Sequence, residues 1–271
     1  NNKHNRSQDT IMKQFALFIT LLLFVAGCVK SDSQNSLKQD QSTKLLRVGI
    51  STNSPPIAYK QLNKIIGLEV DFARGLAEFT GRQLKLVQLK WKDQIPSLLS
   101  GKTDIIMSGM SITNSRKYRI TFAAPYMVSG QISLIRRVDR SKFVSGATDL
   151  LSPTVRVGTI TGTTGDFFIQ DIKARGARTQ FSTSAEAVKA LLADKLDAFV
   201  YDLPGNLYLA SKHTDKGLIP VTIPLTREYL AWGIRPDDQE LLDGANNYLG
   251  TLSNEDMLTK MIQRWIPYYK P

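Results

Sequence analysis

Cysteine and histidine are nearly absent from this chain of 271 residues, which has one cysteine and two histidines. A disulfide framework needs at least two cysteines, so none is available. His4 lies near the N-terminus and His213 lies in the polar stretch "SKHTDKG", so a Ser-His-Asp triad would depend wholly on His213. These residues cannot assemble a His/Cys metal cluster. We therefore predict no metal site, no cofactor and no catalytic residue.

A basic stripe is also missing. Lysine and arginine outnumber aspartate and glutamate by 35 to 24, which gives a formal net charge of +11. The excess is scattered along the chain and is not interleaved with aromatic residues, as a nucleic-acid surface would be. We interpret it as general surface charge that favours an anionic membrane surface, and we expect no nucleic-acid partner.

The only long apolar run lies near the N-terminus, at residues 15–26 in "QFALFITLLLFVAGC". It follows Met12-Lys13 and is too short to span a membrane comfortably, which is typical of a signal peptide. The tetrapeptide "VAGC" resembles the bacterial lipoprotein box, which implies lipidation at Cys28. An unprocessed anchor with an incidental cysteine is the alternative. Residues 1–27 are then a gene-model extension plus signal peptide, and 28–43 are the lipidated cysteine with a flexible polar tether.

Short apolar runs alternate with helical patterns from Lys44 onward, which favours an α/β fold. In "GLEVDFARGLAEFTG", four apolar residues share one helical face: Leu68, Phe72, Leu76 and Phe79. The predicted strands are residues 46–50, 84–90, 104–108, 155–160 and 197–202. Thr183 and Glu186 have the spacing of a capping box, as do Ser253 and Asp256 before a final helix. Two similar units in series indicate two lobes.

A loop rich in hydroxyl groups follows the strand at 104–108, in "MSGMSITNSRKYRITFAAPY". It brings Ser111, Thr113 and Arg116 together in sequence. A planar guanidinium can hold both oxygens of a carboxylate, and hydroxyl groups can add hydrogen bonds. A solvated loop with an ordinary surface arginine explains this stretch equally well.

Four segments in order resemble the family 3 solute-binding proteins, the extracytoplasmic amino-acid receptors of ABC importers. They are "GLEVDFARGLAEFT", which departs from the family signature at Thr80, "WKDQIPSLLSGKTDIIMSGMSITNSRKYRITFAAPY", "VGTITGTT" and "KLDAFVYDLP". The resemblance implies a type II periplasmic-binding-protein-like fold, with two α/β lobes joined by two crossover strands around a ligand cleft. Lobe 1 would comprise residues 44–129 plus 227–271, and lobe 2 residues 130–226.

The resemblance also implies roles for individual residues. Arg116 would pair with the ligand α-carboxylate and Asp202 with its α-ammonium, so that the two lobes grip a zwitterion. Trp91 matches an aromatic lid over the ligand side chain, with a core tryptophan as the alternative, and Tyr201 either reaches the cleft or packs in the core. The remaining candidate contacts are Ser108, Gly109, Ser111, Thr113, Thr163, Thr164, Asn53 and Ser54.

An enzyme on the same fold is the main rival interpretation. Cyclohexadienyl dehydratases resemble these receptors, but they use a glutamate three residues after the position of Asp202 as the proton donor. That position is Gly205 here, and glycine cannot be a general acid. A sensor module is a further alternative. We predict a monomeric lipid-anchored receptor that delivers an amino acid to an ABC permease, with a neutral or polar ligand only slightly favoured over a basic one.

Overall fold

The computed structural model describes residues 44–270. The predicted signal peptide, the lipidation at Cys28 and the tether fall outside these residues. The described part belongs to one compact unit, Thr43–Pro271. Within it, no helix is both long enough and apolar enough to cross a membrane.

The first α/β unit contains short strands connected by three helices. Its strands are β1 (Leu45–Ile50), β2 (Asn53–Ser54), β3 (Ala58–Gln61), β4 (Lys64–Ile66), β5 (Gln83–Gln88), β6 (Ile105–Ile106) and β7 (Thr121–Phe122). Its helices are α1 (Leu68–Phe79), α2 (Gln94–Leu99) and α3 (Asn114–Lys117), with a 3-10 turn at Trp91–Asp93.

Strand β8 (Met127–Ser129) leads into the second unit. Its strands are β9 (Gln131–Arg136), β10 (Val157–Ile160), β11 (Arg178–Phe181), β12 (Ala198–Asp202) and β13 (Leu218–Val221). Its helices are α4 (Thr164–Asp171), α5 (Ser184–Leu192) and α6 (Leu203–Lys212), with 3-10 segments at Arg137–Lys142 and Gly146–Leu151. The chain returns through β14 (Glu228–Leu230) and β15 (Gly233–Ile234) to α7 (Gln239–Asn254) and α8 (Met257–Trp265).

Each unit is built on a five-stranded sheet. The first has the strand order β5-β1-β6-β15-β7, and the second β11-β10-β12-β9-β13. Strands β1, β5 and β6 are parallel to one another, as are β10, β11 and β12. Parallel strands end at the same edge of a sheet, so the loops that follow them gather there, where α/β proteins commonly bind ligands.

Two antiparallel strands connect the lobes. β8 and β14 pair from Met127–Leu230 to Ser129–Glu228. The C-terminal segment then adds β15 to the first sheet, beside β6 and β7. Because the chain leaves lobe 1 and later returns to it, lobe 1 is discontinuous in sequence. This is the two-lobe fold that the sequence predicts.

The apolar face predicted for α1 packs in the core of lobe 1. Leu68, Phe72 and Leu76 are fully buried, and Phe72 contacts the buried ring of Trp232 with the ring centroids 5.5 Å apart. Phe79 lies at the end of the helix and is 48% exposed, although it still packs on Tyr248. The helical period therefore identifies the buried face of α1, although that face becomes partly exposed at the last turn.

One predicted capping box forms and the other does not. Thr183 and Glu186 make both reciprocal hydrogen bonds at the start of α5. The box predicted at Ser253 and Asp256 is wrong, because α7 continues to Asn254 and the Ser253 hydroxyl donates to the Leu249 carbonyl. Asp256 instead takes a left-handed conformation before α8 and makes no side-chain cap.

Candidate ligand-binding site

A cavity of about 390 Å³ lies between the loops that follow the parallel strands of the two lobes. Lobe 1 lines it with Ser51, Asn53, Ser54, Pro55, Ile57, Lys90, Trp91, Lys92, Ser108, Gly109, Ser111 and Arg116. Lobe 2 and the second crossover line it with Ile160, Thr161, Thr163, Thr164, Phe181, Ser182, Thr183, Ser184, Tyr201, Asp202, Pro204, Gly205 and Leu230. Ten of the eleven predicted ligand contacts are among these residues.

Arg116 supplies the buried positive charge of the cavity. Its Nη1 donates to the Ser111 carbonyl at 2.7 Å, and its guanidinium carbon lies 5.2 Å from the Trp91 ring centroid. Burial lowers the pKa of Arg116, while the charges of Asp202 and Glu228 oppose that shift. An arginine remains protonated at neutral pH. A largely desolvated guanidinium in a cavity is a strong binding group for a planar anion.

Asp202 supplies the negative charge on the opposite side. It ends strand β12 and precedes α6, and its Oδ1 accepts a hydrogen bond of 2.7 Å from Gln131 Nε2. Burial, and then the nearby charge of Glu228, raise the pKa of Asp202 to about 7. A bound cation beside this carboxyl group would restore its charged form.

A second carboxylate, Glu228, lies between the lobes at the start of β14. It accepts hydrogen bonds from the hydroxyl groups of Ser111 of lobe 1, Thr164 of lobe 2 and Thr226. Sequence reasoning could not place Glu228, because its position depends on the long-range pairing of the two crossover strands. The carboxylate thus engages hydroxyl groups of both lobes.

The predicted threonines of lobe 2 lie at the N-terminus of α4. Thr163 is the N-cap residue, and its hydroxyl accepts from the Asp166 amide and donates to the Ile160 carbonyl. Thr164 Oγ1 accepts from Gln131 Nε2 at 3.0 Å. The first amides of a helix have no intrahelical acceptor and favour an anion.

Ser108 and Gly109 line the cavity from the loop after β6. The Ser108 hydroxyl accepts from the Ser51 amide at 2.7 Å. The Gly109 amide donates at 2.8 Å to the fully buried carboxyl of Glu69, which burial gives a raised pKa of about 7. Because this amide is occupied, only the carbonyl of Gly109 remains for a ligand. Gly109 has φ +68°, a conformation that glycine adopts readily.

Thr113 is the predicted contact that does not line the cavity. Its hydroxyl accepts from the Arg116 amide at 3.2 Å and caps the short helix α3. The sequence pattern could not separate these roles, because Ser111 and Thr113 are both hydroxyl residues close to Arg116. The cap makes Thr113 a residue that positions Arg116.

Among the described residues, three hydrogen bonds run directly from one lobe to the other at the cavity. Trp91 Nε1 donates to the Gly162 carbonyl at 3.0 Å, and the Ser184 hydroxyl donates to the Asn53 carbonyl at 3.1 Å. The hydroxyl groups of Ser54 and Tyr201 lie 2.8 Å apart. Trp91 therefore lines the cavity and also packs against the buried cluster of Leu98, Ile106, Met110 and Ile120. The cleft is closed in this structure.

The chain matches the model of the bacterial extracellular solute-binding proteins, family 3, over residues 46–268. The protein belongs to this family. This solute-binding protein is 25% identical to the L-cystine-binding protein TcyJ of Escherichia coli, over 93% of this chain and 95% of that protein.

Two solved structures show the same fold as this solute-binding protein. A putative ABC-transporter binding component from Wolinella succinogenes, complexed with lysine, is 32% identical, with a TM-score of 0.78 over 83% of this chain and 96% of its own. An ancestral amino acid-binding protein, described as a precursor of cyclohexadienyl dehydratase, is also 32% identical, with a TM-score of 0.75 over 82% and 94%. The curated relatives are amino-acid-binding proteins of transporters.

Gly205 lines the cavity of the solute-binding protein, three residues after Asp202, where the sequence resemblance to the dehydratases predicts the counterpart of their glutamate. A Cβ atom at Gly205 would lie 2.6 Å from Tyr201 Cε1, closer than non-bonded carbon atoms approach. The Tyr201 ring also stacks on Phe199, with centroids 5.4 Å apart. Tyr201 therefore both reaches the cavity and packs in the core, and it fills the space that a longer residue at 205 would need.

Several lining residues were not predicted. Lys90 and Lys92 flank Trp91, and Ser182, Thr183 and Ser184 follow β11. The parallel arrangement of the strands was the available signal, because it brings every loop at one sheet edge into the same cleft. Among residues 44–270, no group of three or more His, Cys, Asp or Glu side chains could hold a metal ion.

Proposed function

We propose that this protein is an extracytoplasmic receptor that captures a free α-amino acid and delivers it to an ABC permease. One observation carries the proposal: Arg116 of lobe 1 and Asp202 of lobe 2 line the same closed cavity. An α-amino acid has a carboxylate and an ammonium on one carbon. It therefore matches a site that has one charge of each sign on facing walls.

Arg116 holds the α-carboxylate in this proposal, and the Thr164 amide at the start of α4 adds a hydrogen bond. Thr163 supports this contact as the N-cap residue, because its own amide donates to the Ile160 carbonyl. Asp202 and the Gly109 carbonyl accept from the α-ammonium. Ser108 and Ser111 provide hydroxyl contacts, Trp91 covers the ligand, and Asn53 and Ser54 line the first loop. Thr113 acts indirectly, by capping the helix that carries Arg116.

The energetics fit reversible capture. Each hydrogen bond to a charged group contributes about 1.5–3 kcal/mol. Several of them, after the cost of ordering the ligand and the lobes, give roughly micromolar affinity. Because contacts to both lobes exist together only when the cleft is shut, the ligand stabilises the closed state.

The protein is held outside the cytoplasm by a lipid on Cys28, after removal of residues 1–27, and it acts as a monomer. The family assignment supports the extracytoplasmic location. Cys28→Ser should abolish the lipid-modified N-terminal peptide in mass spectrometry and move the protein from the membrane fraction to the soluble fraction. An unchanged distribution between the two fractions would contradict the anchor.

Dehydratase activity is the second candidate, because one structural neighbour is described as a precursor of such an enzyme. This reaction needs a proton donor at position 205, but residue 205 is a glycine, and Tyr201 occupies the adjacent space. We infer that the protein binds its ligand without converting it. Formation of product from prephenate or arogenate would overturn this inference.

A thermal-shift screen of the amino acids, with prephenate and arogenate included, tests the function. One amino acid or a few related ones should raise the melting temperature of the wild-type protein. Arg116→Ala and Asp202→Ala should each abolish the increase while the proteins stay folded by circular dichroism. Undiminished shifts in both variants would refute the proposed site.

A further inference from the structure

The cavity has two ends, because the loops that line it follow different strands. In lobe 1, β5 is an edge strand separated from β6 by β1, and in lobe 2, β11 is an edge strand separated from β12 by β10. Neighbouring strands are about 4.8 Å apart, so loops that follow strands two positions apart lie about 10 Å from each other. The loops after β6 and β12 carry Arg116 and Asp202. The loops after β5 and β11 form the other end, although Trp91 of the β5 loop extends to Arg116, whose guanidinium carbon lies 5.2 Å from its ring centroid. In the proposed binding mode this end receives the ligand side chain.

That second end is rich in cations and hydroxyl groups. Lys90 and Lys92 line the cavity from the loop after β5, and Ser182, Thr183 and Ser184 line it from the loop after β11. Within the described part of the chain, neither lysine has a carboxylate within ion-pair distance. The start of α5, with its positive end of the helix dipole, contributes to the same wall.

Acidic side chains at this end are few. Among the described residues that line the cavity, Asp202 is the only acidic one, and it lies at the end of β12 on the side of Arg116. Asp93 follows Lys92 but does not line the cavity, and Glu186 is engaged with the amides of Ser182 and Thr183. A lysine or arginine ligand would need an acceptor for its terminal cation, and this end offers lysines instead.

We propose that the site selects an α-amino acid whose side chain ends in a carboxylate, with Lys90 and Lys92 as the residues that determine this specificity. The inference deepens the proposed function and rests on it. Both lysines are exposed at the cavity rim, so solvent and salt screen part of their charge. The expected discrimination is therefore moderate.

Calorimetric titration of the purified protein at neutral pH and low salt tests the inference. L-Glutamate or L-aspartate should bind at least about tenfold more tightly than the matching amide, glutamine or asparagine, and more tightly than lysine or arginine. Raising the salt concentration should weaken binding of the acidic ligand more than binding of its amide. Tighter binding of the amide or of a basic amino acid would overturn the specificity and leave the proposed function intact. A failure of every amino acid to bind would overturn both.

The lysines are tested with the double variant Lys90→Met, Lys92→Met. It should lose about tenfold in affinity for the acidic ligand while its affinity for the amide changes by less than about twofold. Lys85→Met is the matched control, because Lys85 is an exposed lysine on β5 outside the cavity, and it should bind like wild type. Equal losses of affinity for the acidic ligand and the amide would show that the lysines shape the cavity but do not bind the ligand's side-chain carboxylate. That result would overturn the proposal.

Discussion

At the scale of single residues, the site is defined by charges that the fold keeps out of water. Arg116 is buried and Asp202 is half-buried, and each shifts the pKa of the other toward its charged form, although desolvation outweighs that effect in both. Burying a charge without a partner is costly. A zwitterion that brings one partner to each group therefore gains more here than it would at the surface.

The geometry of the guanidinium is the first property to test. Arg116→Lys keeps the positive charge but loses the planar fork, so ligand affinity should fall by about tenfold or more, equivalent to the loss of one charge-assisted hydrogen bond. Arg119→Lys is the matched control, because Arg119 is exposed three residues away and does not line the cavity. Calorimetry measures both. Wild-type affinity in Arg116→Lys would contradict the bidentate role.

The raised pKa of Asp202 predicts a pH dependence of binding. Before ligand arrives, Asp202 has a pKa of about 7 and is half protonated at that pH. The ligand ammonium needs the charged carboxylate, so binding must expel the proton. Affinity should reach its maximum near pH 8, before the ligand ammonium itself deprotonates, and weaken by up to about tenfold per pH unit below pH 7.

The Asp202→Asn variant shows whether Asp202 is the group that causes the pH dependence of affinity. Glu69 also has a pKa raised to about 7 by burial, and it holds the Gly109 amide behind the cavity. In Asp202→Asn the affinity should be lower at every pH, and the slope between pH 5.5 and 7 should vanish. A slope that persists in the variant would assign the titration to Glu69 and contradict the role of Asp202.

At the scale of elements, the ends of strands and helices place the site. Parallel strands direct their loops to one edge of each sheet, and residues at the N-termini of α4 and α5 line the cleft. Helix α6 contributes through its closeness to β12: Gly205 of the helix touches the Tyr201 ring of the strand. Replacing that glycine therefore perturbs the wall of the cavity.

Two glycines in helices give a matched test of this contact. Gly205→Ala introduces a Cβ 2.6 Å from Tyr201, so the free energy of unfolding should fall by about 1–3 kcal/mol. Gly250 lies in α7 with open space around it, so Gly250→Ala should raise the free energy of unfolding by about 0.5–1 kcal/mol. Urea denaturation measures both. Equal stabilisation of the two variants would show that Tyr201 moves freely.

At the scale of the whole molecule, the sequence predicts the architecture better than it predicts the full set of lining residues. Periodicity and motif order identify the two lobes, the α1 face, the strand that precedes Arg116 and the strand that ends at Asp202. Glu228 and the lysines escape prediction, because their positions depend on strand order and on pairing between distant segments. The predicted cap at Ser253 fails because α7 extends to Asn254, past the residue at which the sequence predicts the next helix to start.

Closure is a property of the whole molecule that scattering can measure. Hydrogen bonds of Trp91 and Ser184, and the one between Ser54 and Tyr201, join the lobes at the cavity. Ligand adds contacts to both lobes, so the radius of gyration should decrease when a saturating amino acid is added. Arg116→Ala should show no decrease at the same ligand concentration. An identical radius with and without bound ligand would contradict ligand-driven closure.

The central claim is that Arg116 binds the α-carboxylate and Asp202 binds the α-ammonium of the same ligand. A double-mutant cycle between protein and ligand tests this claim most directly. Calorimetry would compare the preferred amino acid, its α-carboxamide and its deaminated analogue on the wild-type, Arg116→Ala and Asp202→Ala proteins. Arg116→Ala should lower affinity strongly for the amino acid but only slightly for the carboxamide, which lacks the carboxylate. Asp202→Ala should lower affinity strongly for the amino acid but only slightly for the deaminated analogue, which lacks the ammonium. Equal losses for all three ligands in both variants would contradict the account.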